Sequence, residues 1–522
     1  MKVEAIELEL FRHLLVSIAE EMGAVLRKTS YSANIKERRD YSCALYDATG
    51  ETVAMGDHMP VHLGAMPLSV RHAMQAFELR PGDVAILNDP FRGGTHLPDI
   101  TAVSAVYIAG ARRPAFYVAN RAHHADVGGM SPGSMPLARE IYQEGLRIPP
   151  ILLVRGGKFD RELLSLILSN VRTPVEREGD LLAQCMAIRR GEQRLLELVA
   201  KRSLPAVRRN MTALKDYSER MMRTAIRKLP PGVYRFEDSL DGDGIVNRPV
   251  RIVVTITIHG DQATIDFTGS DPQVEGSVNA NYAVAISATT YVFRCLVRED
   301  IPYTAGVMRP LEVIAPARTV VNAEAPAAMA AGNVETSQRI TDVVLGALAQ
   351  AAPELIPAAS SGTMNNITFG GWDPVRGQSF AYYETIAGGM GASAISDGLS
   401  ATHTHMTNSW NTPVEAFEHQ YPLRIRIYRM RSCSGGNGRH RGGDGIIREF
   451  EFLAPAQVTI LADRRSCGPY GLAGGSAGSP GKNLLIRKKK IGAIAGKARF
   501  EVRQGDMLRI ESPGGGGYGK PA

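Results

Sequence analysis

Residues 88–100 (NDPFRGGTHLPDI) place a histidine and a carboxylate at a spacing suited to metal binding. His96 and Asp99 lie three residues apart, with Pro98 between them. If the chain turns here, an imidazole nitrogen and a carboxylate oxygen converge on one divalent ion such as Mn²⁺, Fe²⁺ or Zn²⁺. The same spacing is common in surface pairs that bind nothing, so this motif alone does not establish a site.

Residues 120–135 (NRAHHADVGGMSPGSM) add His123, His124 and Asp126, which we expect in a loop after the strand-like AFYVA. Adjacent side chains on an extended segment point to opposite sides, so only one of the two histidines can face a metal. The other is free for substrate or for supporting a ligand. Asp40 precedes another predicted strand and could complete the coordination sphere, or it could pair on the surface with the neighbouring arginines.

Weaker patterns leave several alternatives open. His403 and His405 have strand-like spacing and could form a second metal site, but we prefer a substrate-lining role, with hydrogen bonds from Asn408, Asn411 and Glu415. His58 and His62 have helical spacing, but nearby Gly and Pro argue against a helix and favour packing. The nucleophile candidates are Cys43, which we expect to be buried, and Cys433, for which no histidine partner is identifiable.

The elements that must position these residues alternate between helical and strand patterns. Apolar spacing predicts a helix over 4–28, strands over 41–119, and helices over 161–229 broken near Gly191 and Pro205. Strand patterns over 233–267 include a hairpin at 259–261, a helix is predicted over 336–351, and short strands over 446–512. The fold class is mixed α and β and multidomain, divided into an α/β region with the metal-site loops (1–160), a helical segment (161–230), an α+β substrate-lining region (231–445) and a β-rich region (446–522).

Composition excludes several classes of protein. The 522 residues are 44% hydrophobic and 22% charged, as in ordinary globular proteins. The net charge of +7 is dispersed, which argues against nucleic-acid binding. No apolar run reaches the roughly 18 residues of a membrane span, and the N-terminus lacks a signal-peptide pattern, so we expect a cytoplasmic protein without membrane partners. The five cysteines form no zinc or disulfide pattern, and no phosphate-binding loop is present.

Taken together, the motifs resemble the hydantoinase B/oxoprolinase family. The resemblance runs from about residue 4 to residue 519 and rests on ERRDYSCALYD, HMPVHLGAM, NDPFRGGTHLPDI, NRAHHADVGGMSPGSM, SGTMNN, THTHMTNSWNTPVEAFE and SPGGGGYG. It implies one divalent ion held by Asp40, His96, Asp99 and one of the adjacent histidines, for which we favour His123. It further implies Asp126 and Glu144 as supporting or substrate-contacting groups, and His124 or Asp126 as a general base.

The resemblance also implies a division of labour between two polypeptides. A hydantoinase A-type companion with an actin-like ATPase fold would phosphorylate the oxygen of a cyclic amide, which removes amide resonance. This chain would then complete ring opening with metal-activated water. The alternative is a subunit of an ATP-dependent acetone- or acetophenone-type carboxylase, which the shorter length of this chain disfavours. A non-catalytic partner of the ATPase is a third reading, disfavoured by the complete His and Asp set.

Overall fold

The computed structural model describes residues 4–56 and 58–521, which form nine α-helices and twenty β-strands in four sheets. The helices are α1 (Ala5–Thr29), α2 (Ala33–Lys36), α3 (Ala65–Ala76), α4 (Arg161–Leu168), α5 (Pro174–Arg202), α6 (Leu204–Arg227), α7 (Tyr282–Leu296), α8 (Ser337–Ala351) and α9 (Val414–Gln420). The mixed α and β class predicted from the sequence is confirmed.

The strands of the first half are β1 (Tyr41–Asp47), β2 (Thr52–Met55), β3 (Val84–Leu87), β4 (Asp99–Val106), β5 (Phe116–His123), β6 (Ile151–Arg155), β7 (Lys158–Phe159), β8 (Gly232–Leu240), β9 (Val250–His259) and β10 (Gln262–Asp266). Those of the second half are β11 (Leu311–Ile314), β12 (Asn366–Asp373), β13 (Gln378–Glu384), β14 (Leu423–Arg431), β15 (Gly445–Phe452), β16 (Ala456–Leu461), β17 (Lys482–Arg487), β18 (Lys490–Ile494), β19 (Lys497–Val502) and β20 (Met507–Glu511).

The first sheet is antiparallel, in the order β2-β1-β5-β4-β3-β6-β7. Helices α1, α5 and α6 contribute to the apolar core on one face, and α3 packs on the other. Because both faces are covered, β4 and β5 are buried along their whole length. The break predicted near Pro205 is confirmed, since α5 ends at Arg202 and α6 begins at Leu204.

The break predicted at Gly191 is wrong, because α5 continues through it. A Cβ at this position would lie 2.5 Å from Met22 Sδ on α1. The glycine therefore serves close packing of α5 against α1 rather than ending the helix.

A second sheet, in the order β11-β10-β9-β8, supports α7 and α8. The predicted hairpin at 259–261 is confirmed as the turn between β9 and β10, and the helix predicted over 336–351 corresponds to α8. A π-turn at Gly332–Thr336 leads directly into α8. This turn brings α8 to the candidate site.

The remaining sheets have the orders β13-β12-β16-β19 and β14-β15-β20-β17-β18. Each combines strands from both sides of residue 445, so strand pairing does not follow the segment boundary expected there. The division into four segments stays a prediction. None of the helices in the described ranges combines the length and apolar character that crossing a lipid bilayer requires.

Candidate metal centre

Strand pairing brings the two main histidine motifs together. Asp99 begins β4 and His123 ends β5, and the antiparallel register places these two residues directly opposite each other. His123 is thus part of the strand, not of the loop predicted after it. His96 lies in the turn before β4, where its carbonyl accepts a hydrogen bond from the Asp99 N–H at 3.2 Å. Register and turn together place three side chains at one end of the sheet.

His96, Asp99 and His123 form a compact, buried cluster. One ligand atom from each side chain lies within 4.8 Å of the other two, and every side chain is at most 2% exposed. His96 Nε2, Asp99 Oδ1 and His123 Nε2 have no hydrogen-bond partner among the described residues. Since buried polar atoms are normally paired, three orphaned ligand atoms facing one point fit a bound cation.

The hydrogen bonds of His96 define which of its nitrogens faces the cluster. Its Nδ1 lies 3.2 Å from the carbonyl oxygen of Ala330, which only accepts, so Nδ1 carries the proton. In the neutral ring, Nε2 then presents a lone pair to Asp99 Oδ1 at 3.3 Å. Two acceptors at this distance repel each other unless a proton or a metal ion lies between them.

His123 is in the form that binds metals. Burial lowers the pKa of His123 well below its usual range, and the nearby His96 adds to this effect, so the imidazole is neutral. Asn34 on α2 lies 2.9 Å from Nδ1, and the ring stacks on Tyr383 at 4.5 Å between centroids. These contacts fix the ring and leave Nε2 free toward His96 and Asp99.

The two carboxylates differ in charge state. Burial alone would raise the pKa of Asp99, but His96 and His62 outweigh it and hold that pKa well below its usual range. Burial raises the pKa of Asp40 to about 6 against the opposing charge of Arg38, and Asp99 adds to the increase. Asp40 immediately precedes β1, and its carbonyl oxygen accepts the His123 N–H at 3.0 Å. It therefore lies beside the cluster, as expected for a fourth ligand.

His124 and Asp126, predicted as catalytic groups, have structural partners. His124 Nε2 lies 3.0 Å from Gln184 Oε1 on α5, on the opposite side of β5 from the direction of His123. Asp126 accepts from the backbone N–H groups of Gly128 and Arg172 and forms a 3.0 Å ion pair with the Arg172 guanidinium. These contacts anchor the loop after β5.

Glu144 acts on the cluster through an intermediate segment. Its Oε1 accepts hydrogen bonds from the backbone N–H groups of Met329 at 2.7 Å and Ala330 at 2.9 Å. Burial raises the pKa of Glu144 to about 8, while these two hydrogen bonds oppose the increase. The carboxyl group holds the same backbone whose Ala330 carbonyl binds His96.

His403 and His405 do not lie on a strand as predicted. His405 has φ +60°, and a left-handed residue interrupts an extended segment. Both Nε2 atoms are buried without a hydrogen-bond partner in the described part of the chain, and burial lowers the pKa of each imidazole to about 4. Over residues 4–56 and 58–521, neither joins a group of three metal-ligating side chains.

The other predicted substrate contacts are dispersed. Asn411 donates to Glu384 Oε1 and to the Thr385 carbonyl, each at 2.7 Å, and so braces the loop from inside. Asn408 is exposed and donates to the His58 carbonyl at 3.3 Å. Glu415 is exposed on the first turn of α9. Their roles stay predictions.

Two residues that contact Asp99 Oδ2 were missed as site residues. His62 Nε2 lies 3.5 Å from this oxygen, and Asn333 Nδ2 donates to it at 3.2 Å. His62 belongs to a single 3-10 turn, so it shares no helix with His58. The motif HMPVHLGAM did carry a signal for His62, whereas the sequence around Asn333 carries no local metal-binding pattern.

The cysteine hypotheses gain no support. Cys43 is buried in β1, and burial raises the pKa of its thiol well above the usual range, which disfavours the nucleophilic thiolate. Cys433 is exposed on a residue with φ +62°.

Comparison with known proteins gives consistent matches along the chain. The family model described as hydantoinase B/oxoprolinase matches residues 4–521. The 5-oxoprolinase 1 of Arabidopsis thaliana is 40% identical over 99% of this chain but only 42% of its own length. A candidate D-/L-hydantoinase B-type polypeptide of a Pseudomonas species is 31% identical over 100% of this chain and 90% of its own. The chain thus spans about two fifths of the 5-oxoprolinase.

Two solved structures share the fold. The ATP-dependent caprolactamase from Pseudomonas jessenii superposes with a TM-score of 0.92 at 30% identity, covering 100% of this chain and 92% of that one. A nucleotide-free acetone carboxylase superposes with a TM-score of 0.91 at 18% identity, covering 99% of this chain and 76% of that one. The second similarity shows the fold alone.

Proposed function

This chain belongs to the hydantoinase B/oxoprolinase family, and from that premise we propose that it is the metal-carrying, hydrolytic component of a two-component, ATP-dependent cyclic amide hydrolase. The observation that supports this most directly is the buried cluster of His96, Asp99 and His123, whose facing ligand atoms have no other partner in the described residues.

The donor set fits one divalent ion. His96 and His123 would supply imidazole nitrogens, Asp99 a carboxylate oxygen, and Asp40 a further oxygen, a mixture suited to Mn²⁺, Fe²⁺ or Zn²⁺. When bound, such an ion supplies Lewis-acid polarisation and lowers the pKa of water at neutral pH. The neutral His123 and the ionised Asp99 are in the protonation states that binding needs.

The remaining polar residues have different roles in this proposal. Contacts with Gln184 and Arg172 favour support of the post-β5 loop for His124 and Asp126 over general-base catalysis. His403 and His405 are neutral imidazoles with an open Nε2, so we assign to them hydrogen bonding or proton transfer with the substrate. The loop that carries them reaches the cluster through the Val61 N–H, which donates to the Met406 carbonyl at 3.3 Å.

We further propose that ATP is used by a companion, a hydantoinase A-type ATPase. The sequence contains no phosphate-binding loop. The 5-oxoprolinase relative is more than twice as long as the matched region, while the Pseudomonas hydantoinase relative is matched over nine tenths of its length. Both facts fit a division in which the activating region is separate from this one.

A carboxylase component is the second candidate, supported by the shared fold of acetone carboxylase. Hydrolysis is favoured because identity with the caprolactamase is higher, 30% against 18%, and because 92% of that chain is matched against 76% of the carboxylase chain.

The proposal is tested by metal content and by turnover. Mass spectrometry should find about one transition-metal ion per purified chain, which His96→Ala and Asp99→Ala should lose and which His259→Ala, an exposed control, should keep. With the companion ATPase and ATP, ring opening of hydantoin or 5-oxoproline should follow metal content. Bicarbonate-dependent ATP use on a ketone without lactam turnover would favour the carboxylase, and absence of metal would overturn the site.

A further inference from the structure

The π-turn before α8 carries two buried carboxamides beside the metal cluster. Asn333 and Gln338 are 4% and 1% exposed. Residues five apart on an α-helix diverge by about 140°, but the Thr336 N–H bonds to the Ala331 carbonyl five residues earlier, which reduces this divergence. Gly332 lets the turn approach the neighbouring backbone, since a Cβ there would lie 1.8 Å from the Asn279 carbonyl oxygen. The turn is therefore a constrained feature, and π-turns of this kind occur frequently at functional sites.

The orientation of each carboxamide is fixed by a group that only accepts hydrogen bonds. The amide nitrogen of Asn333 donates to Asp99 Oδ2 at 3.2 Å, and that of Gln338 donates to the Thr404 carbonyl at 3.0 Å. Reversing either amide would face oxygen with oxygen. Asn333 Oδ1 and Gln338 Oε1 are consequently left as buried acceptors, and neither has a partner within the described ranges.

These two oxygens lie between the metal cluster and the His403–His405 loop. Asn333 is bonded to the ligand Asp99, and Gln338 is bonded to the backbone between the two histidines. The surrounding imidazoles, His403 and His405, are neutral. An acceptor pair among neutral imidazoles matches an uncharged N–H donor better than an ammonium group, which would require carboxylates.

We propose that Asn333 Oδ1 and Gln338 Oε1 recognise the ring N–H of the substrate, so that the chain selects cyclic amides with an unsubstituted ring nitrogen. A lactam has a cis amide, which presents N–H and C=O side by side along one edge. With its oxygen toward His96, Asp99 and His123, its N–H meets the carboxamide bonded to Asp99. This inference rests on the proposed function and names its substrate class.

The test measures binding without turnover. The metal-bearing full chain is titrated with 2-pyrrolidinone, N-methyl-2-pyrrolidinone and γ-butyrolactone, followed by calorimetry or ligand-observed NMR. The lactone replaces N–H by oxygen without added bulk, so it leaves both acceptors unpaired. We expect the N–H lactam to bind about tenfold more tightly than either analogue. Equal binding of the three rings, or no binding of any, would overturn the inference.

A matched pair of variants assigns the effect to Gln338. Gln338→Met should reduce the preference for the N–H ring to near unity at unchanged metal content, because Gln338 does not touch the cluster. Gln350→Met, on the same helix with its side chain on the Arg235 carbonyl, should keep the preference. An unchanged preference in Gln338→Met would contradict the assignment. Since neither ATP nor the companion is present, failure of ring opening leaves this binding ratio readable, and the two proposals can fail separately.

Discussion

The metal cluster and the segment that covers it are built differently. His96, Asp99 and His123 come from two neighbouring strands of one sheet and the turn before them, where antiparallel register places Asp99 opposite His123. The covering residues, at 329–338 and 403–406, are held on the cluster by individual hydrogen bonds such as that from His96 to the Ala330 carbonyl. The comparison teaches that ion binding is assigned to a rigid sheet, and substrate fit to a segment that small changes can shift.

The largest effect should come from the adjacent histidines at the end of β5. His123→Ala removes a ligand, and we expect metal affinity to fall more than about a hundredfold. His124→Ala should retain the metal and instead lower the free energy of unfolding by about 1 to 3 kcal/mol, because it removes a buried partner of Gln184. Metal titration and denaturant unfolding of both variants measure this. Loss of metal from His124→Ala alone would reverse the assignment.

The second prediction tests whether the covering segment supports the ligands. Glu144→Ala removes the acceptor for the Met329 and Ala330 N–H groups, so the carbonyl that orients His96 becomes less constrained. We expect metal affinity to fall about tenfold to a hundredfold. Glu144→Gln retains an acceptor oxygen and should stay near the native affinity. Equal losses in both variants would show that charge, rather than support of the backbone, matters.

The same residue predicts a pH dependence of stability in the metal-free chain. Burial raises the pKa of Glu144 from 4.5 to about 8, so the folded state retains a proton that the unfolded state releases. This stabilising contribution is complete below pH 4.5 and is lost as the pH rises through about 8. Glu144→Gln does not titrate, so its stability relative to the native chain should increase between about pH 5 and pH 9, by on the order of 2 kcal/mol. A constant difference in free energy of unfolding would contradict the prediction.

The sequence predicted the sheet-borne half of the site far better than the covering half. The motifs at 88–100 and 120–135 contain their ligands within a few residues, and strand alternation indicated that only one of His123 and His124 faces the cluster. Asn333 reaches Asp99 across 234 positions, through packing that no local pattern encodes. The strand expected at His403 and His405 failed because a left-handed residue replaced the extended conformation that their spacing suggested.

The smallest effect concerns His58 and His62, which the sequence presents as an equivalent pair. His62 Nε2 lies 3.5 Å from Asp99 Oδ2, longer than a good hydrogen bond, and its Nδ1 is 2.8 Å from Ser42 Oγ. His58 instead stacks near Tyr41 and lies 3.6 Å from Glu20. We therefore expect His62→Ala to weaken metal binding by about tenfold or less and His58→Ala to leave it unchanged, as measured by competition with a chelator. If the two variants behave alike, the contact with Asp99 does not tune the ion, and the cluster depends on the sheet and the Glu144-supported segment alone.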